Sequence, residues 1–183
     1  MRRSFLGIIA ILLVSLSCGQ PGLHPEYKDV DPRASKYVEE YLWLSNYNHI
    51  HFDKKVTLGF KKIDQGDTIG LCINGGFFRE VDIDQDFWSH ATERSKYTLV
   101  FHELTHCYCG RAHDYGEGAM YPEKEADRIT QAVQWTLNGG PRPGYWDDGC
   151  PVSLMYPVLV DDDCVATHYS EYVSEMFNRC DPW

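Results

Sequence analysis

The sequence is short of positive charge: 17 Lys and Arg stand against 27 Asp and Glu over 183 residues, a formal net charge of −10. A protein that neutralises phosphates needs the opposite balance, which argues against nucleic acid as a partner. A long hydrophobic run is also lacking. The apolar stretch Phe5 to Val14 falls well short of the roughly 18 residues a membrane-spanning helix requires. No internal repeat, low-complexity tract or block of like charge stands out, which excludes solenoid arrays and charged interaction tails.

What is present is a globular composition, 43% hydrophobic and 14% aromatic, in a length that suits one domain with a sizeable core. Residues Met1 to Ser17 read as an export signal, with Arg2 and Arg3, the short apolar run, and a small-residue exit at Ser15 to Ser17. Without those arginines the charge falls to near −12, which suits a solubilising acidic surface. Residues 18–30, with Pro21, Gly22 and Pro25, read as a tether, and the folded domain is expected over 31–183.

Apart from Cys18 there are six cysteines, Cys72, Cys107, Cys109, Cys150, Cys164 and Cys180. An even count in an exported chain favours disulfides, and six cysteines allow 15 connectivities. Helical geometry disfavours two pairs. Cys107 and Cys109 point to different sides of one helix, and Cys164 and Cys180 stand about 24 Å apart if the segment between them is helical.

Asp31 and Pro32 offer a cap and first turn to a helix carrying Tyr37, Val38, Tyr41 and Leu42 on one face. Alternation at Val56, Leu58 and Phe60, and again at Ile69, Leu71 and Ile73, predicts two strands; a third begins at Val81 and Ile83 and runs to Phe87 and Trp88. A helix over Thr92 to Cys109 is apolar around most of its circumference and therefore buried, with Gly110 as its stop. Further helices fit Pro122 to Leu137 and Val165 to Phe177. The pattern is α+β, a small mixed sheet with a buried helix.

That helix carries the chemistry. His102 and His106, four apart, emerge on one side of it about 6 Å apart along the axis, a separation from which both imidazoles can meet one tetrahedral Zn2+. Glu103 beside them can accept a proton from a water that zinc acidifies and return it to a leaving amine. The motif therefore predicts a zinc-dependent peptidase with Glu103 as general base, acting on peptide or protein substrates as a monomer. A non-catalytic, disulfide-stabilised zinc-binding envelope lipoprotein is the alternative; Glu103, which a purely binding site does not need, argues against it.

The run HELTHCYCGRAHD, His102 to Asp114, resembles the metzincin clan of zinc metallopeptidases. The resemblance implies a zincin-like single domain of two subdomains. The sheet, two helices and the motif would lie above a cleft, and turns and helices below it. It also implies His113 as third ligand after the Gly110 turn, a methionine turn at Met155 within Pro151 to Tyr156, and a substrate-binding edge strand near Phe78 to Asp84. Tyr156 resembles the oxyanion-stabilising tyrosine of some members, which stands one residue further on. Glycine and third histidine each come one residue later than usual in the clan. HELTH also resembles the thermolysin-like clan, which implies Glu123, with Asp127 four residues on, in place of His113. Cys18, after small residues, resembles the acylated cysteine of bacterial lipoproteins, although the customary leucine sits at Leu16, not at position 15. That implies a cell-envelope location with a membrane tether; ordinary cleavage after Ser17 implies a periplasmic or secreted protein.

Overall fold

The computed structural model describes residues 30–52, 55–74, 79–114 and 144–180. The expected export signal, Cys18, the expected tether up to residue 29, Glu123, Asp127 and the helix expected from Pro122 lie outside the described residues. Helix α1 spans Ser35–Tyr47. Strands β1, β2 and β3 are Thr57–Lys61, Gly70–Asn74 and Arg79–Asp84. Helices α2 and α3 are Gln85–His90 and Glu93–Cys109, and α4 and α5 are Asp162–Thr167 and Tyr169–Asn178. This is the expected α+β fold with a small mixed sheet, and no described helix is long and apolar enough to cross a membrane.

The strand order is β1-β3-β2, with β3 parallel to β1 and antiparallel to β2. Two expectations are corrected here. Residues 79–84 form the paired centre of the sheet, so they cannot receive an added strand; among the described residues β2 is the edge beside α3. The third strand stops at Asp84 because its carboxylate accepts the Phe87 N–H at 2.8 Å and caps α2, which places Phe87 and Trp88 on a helix. A smaller difference concerns α1. The Asp31 carboxylate accepts the Arg33 N–H at 2.9 Å in a turn ahead of the helix, and Ala34 is the capping residue.

Tyr41 of α1 is fully buried at the junction of α1, α3 and α5, with ring centres 5.2 Å from Phe101 and 5.3 Å from Phe177. Its hydroxyl meets Thr105 Oγ1 at 3.3 Å, which satisfies a group that would otherwise be costly to bury. The expected last helix is interrupted at His168. Three disulfides close the frame: Cys72–Cys107 joins β2 to α3, Cys109–Cys180 joins the end of α3 to the chain after α5, and Cys150–Cys164 joins a loop to α4. Neither pairing disfavoured by helix geometry occurs.

Candidate metal centre

From Thr98 to Cys109 every residue of α3 except His106 is buried, so the helix crosses the interior and carries His102 and Glu103 into it. The helix ends at Gly110, whose φ of 61° is the left-handed conformation that costs glycine least. The chain then doubles back, and His113 returns to the helix. The three rings form a near-equilateral triangle, with centres 4.6 Å apart for His102–His106, 4.9 Å for His106–His113 and 5.2 Å for His102–His113. One ring nitrogen from each lies within 4.8 Å of the others, and the group could hold a metal ion.

Both helix histidines are oriented by carbonyls. His102 Nδ1 lies 2.6 Å from the Leu154 carbonyl and His106 Nδ1 lies 2.5 Å from that of Arg111. Because a carbonyl can only accept, each Nδ1 carries the proton and each Nε2 presents a lone pair. The two Nε2 atoms stand 2.9 Å apart. Two lone pairs facing each other need a shared electrophile, and nitrogens bound to a tetrahedral zinc stand about 3.3 Å apart, so the donors fit the ion after a small opening. Burial pushes the pKa of His102 down to about 3 and that of His106 down to about 4, which keeps both rings neutral and able to donate.

The segment Gly110 to Asp114 that carries His113 is held by the C-terminal part of the chain. Asp114 N–H donates to the Met155 carbonyl at 2.7 Å. Arg111 reaches Glu175 of α5 at 2.5 Å and Asp114 at 3.2 Å, and Arg179 also bonds Asp114. Ser153 donates to Glu175 at 2.9 Å and accepts the Met155 N–H at 3.0 Å. Met155 is fully buried. The chain turns at Ser153 to Tyr156, where the Tyr156 N–H donates to the Ser153 carbonyl at 3.2 Å, and the Leu154 carbonyl within this turn is the one that reaches His102.

Glu103 is 5% exposed. Burial pushes its pKa up to about 8, opposed by the Cys72 N–H, which donates to the carboxylate. A cleft of about 410 Å³ opens over Glu103, His102 and His113, walled by Asp67 to Gly70 on one side and Tyr156 to Leu159 on the other. A larger hollow of about 580 Å³ near Tyr97 and Tyr169 lies at the other end of α3, away from the histidines. Asp148, Cys150 and His168 also cluster, but the Cys150 sulfur is committed to Cys164 and only two donors remain.

Sequence reasoning missed Gly70. A Cβ there would stand 2.5 Å from Glu103 Oε1, so only glycine lets the carboxylate lie against β2. Its signal was available, since an isolated glycine in a strand marks a close approach of some other group. The carbonyls of Leu154 and Arg111 left no such signal, because any residue supplies one.

Three convergent histidines and a buried carboxylate over an open cleft are the arrangement of a metal-dependent peptidase. Residues 26–137, more than half of the chain, match the model of the family described as putative phage metallopeptidase, and the protein belongs to that family. The matched segment contains His102, Glu103, His106, His113 and Glu123 and stops short of Met155. No curated protein and no solved structure matches the chain.

Proposed function

We propose that the protein is an exported zinc-dependent endopeptidase in which His102, His106 and His113 hold the metal and Glu103 is the general base. The observation that carries this reading is the convergence of three imidazoles, two of them held neutral by burial, beside a buried carboxylate at the floor of a cleft. Three nitrogen donors suit zinc in an open, catalytic coordination. A zinc ion held there would acidify water and polarise a peptide carbonyl. Glu103 accepts the proton of the attacking water and passes it to the amide nitrogen of the departing chain. Tyr156 donates to the developing oxyanion, a role supported by its position in the lining of the same cleft and by a hydroxyl that accepts from Tyr145 at 2.6 Å.

Strand β2 receives the substrate. The Ile69 carbonyl accepts from Asp84 N–H at 2.8 Å, so residues of its parity bond to β3, and Gly70 and Cys72 direct their backbone groups outward. With the Cys72 N–H engaged by Glu103, an extended peptide pairs at Gly70 and runs along the Asp67 wall.

His113 and the buried Met155 turn favour a metzincin-like site over one that uses Glu123. The three disulfides suit an oxidising compartment and support the export signal at 1–17, with Cys18 as a lipid anchor if acylated. The domain occupies 31–183 and works as a monomer. Zinc content and peptide cleavage of His113→Ala beside Glu123→Ala test the assignment: metal is lost in the first and retained in the second. Loss only in Glu123→Ala overturns it. A Glu103→Gln variant that keeps zinc and full proteolytic activity would instead favour the non-catalytic zinc-binding envelope protein.

A further inference from the structure

Helix α3 turns Leu99, Glu103 and Cys107 toward β2 at four-residue intervals, and β2 answers with Gly70 and Cys72 at a two-residue interval. Four residues of helix advance about 6 Å and two residues of strand about 6.6 Å, so the rungs of the two ladders stay in step. At the first rung the strand has no side chain. A Cβ on Gly70 would meet Glu103 Oε1 at 2.5 Å and Leu99 Cδ1 at 2.8 Å. At the second rung the two elements are covalently joined, Cys72 to Cys107, with Cα atoms 5.6 Å apart. The Glu103 carboxylate lies between these rungs, with the Cys72 N–H facing it.

We infer that Gly70 and the Cys72–Cys107 disulfide form a brace that positions Glu103 for proton transfer: the glycine admits the carboxylate to the edge of β2, and the disulfide holds the Cys72 N–H against it. Glu103 makes contact through a long side chain with several rotamers, and an edge strand tied only by its pairing to β3 would let the donor drift. The bond is placed where it removes that drift. It joins the donor residue itself to the helix residue one turn beyond the acceptor. The three histidines do not depend on this contact, since their orienting carbonyls come from Leu154 and Arg111. The inference rests on the reading of Glu103 as the base, and Gly70, Cys72 and Cys107 act through it as positioning residues.

The test compares wild type with Gly70→Ala, with Cys72→Ser/Cys107→Ser and with Glu103→Ala. It measures bound zinc, kcat and KM on fluorescein-labelled casein, and amide hydrogen exchange at residue 72. Both brace variants keep wild-type zinc and lose about 100-fold in kcat, the scale of a misplaced reacting group. The Cys72 amide is protected in wild type and exchanges faster in Glu103→Ala. A folded, zinc-loaded brace variant with wild-type kcat overturns the inference, as does an unchanged exchange rate at Cys72 in Glu103→Ala. If Glu103→Ala abolishes turnover while both brace variants retain it, the brace falls and the base stands. If Glu103→Ala leaves turnover intact, the base reading falls, and exchange at Cys72 still decides whether the contact exists.

Discussion

His102 is held by the carbonyl of Leu154, 2.6 Å from its Nδ1 and 52 positions away in sequence. One hydrogen bond thus makes the orientation of a helix histidine depend on a turn in the C-terminal part of the chain. Carbonyl partners of this kind fix the tautomer of a metal-binding histidine and raise its basicity.

The Leu154 carbonyl depends in turn on Ser153, whose hydroxyl bridges the Met155 N–H and Glu175. Ser153→Ala leaves both groups short of a partner and should destabilise the fold by about 1–3 kcal/mol. It should also weaken zinc retention on the order of 10-fold. Urea unfolding and competition with a colorimetric chelator measure the two effects; full zinc affinity in the folded variant would show that the turn does not govern His102.

Arg111 and Glu175 form a mostly buried ion pair at the base of the His113 turn, with side chains 8% and 20% exposed. Removing one partner leaves the other charge short of compensation, so Arg111→Met should cost about 3 kcal/mol. Because the pair anchors the turn, zinc should be lost from this variant at lower chelator concentration than from wild type. A double variant with Glu175→Leu should recover part of the stability, since well-packed apolar pairs often replace buried ion pairs without loss. Thermal unfolding of the single and double variants reads the coupling.

Chelation should lower the unfolding temperature of wild type, and restoring zinc to about 100 times its dissociation constant should return about 2.7 kcal/mol. His113→Ala should gain far less from the same zinc addition. Equal stabilisation of the two proteins would mean that His113 is no ligand.

Asp84 accepts the N–H groups of Ile63 at 2.9 Å and Phe87 at 2.8 Å, and these bonds hold its carboxyl below the usual carboxylate range. A carboxyl lowered in the folded state contributes stability that is complete above its unfolded pKa of about 3.9 and is lost as pH falls through the folded value. Asp84→Asn should therefore flatten the acid side of the urea midpoint against pH while leaving α2 capped. An acid limb identical to wild type would remove Asp84 from the acid response.

Much of the local structure was legible because it obeys local rules. The apolar circumference of α3, its stop at Gly110 and the alternation in β1 and β2 each reflect side-chain and backbone preferences acting over a few residues. The continuation of the third strand to Trp88 failed for a reason of the same range, since an aspartate ready to cap a helix outweighed the β preference of two aromatics. Which strand forms the edge was not legible. Pairing order depends on which connections let β3 slide between β1 and β2, and nothing in such short segments records that choice.

The spacing of His102, Glu103 and His106 was set by the sequence alone, because a helix of 3.6 residues per turn puts positions four apart on one side wherever the helix lies. The tertiary structure decided what surrounds them. It brought His113 back through a left-handed Gly110, set the Leu154 carbonyl against His102, and laid the Cys72 N–H and the bare Cα of Gly70 against Glu103. These contacts join groups that every residue carries, or the absence of a group. They arise from how close the backbones approach, which is settled only when the core, the disulfides and the ion pairs form together.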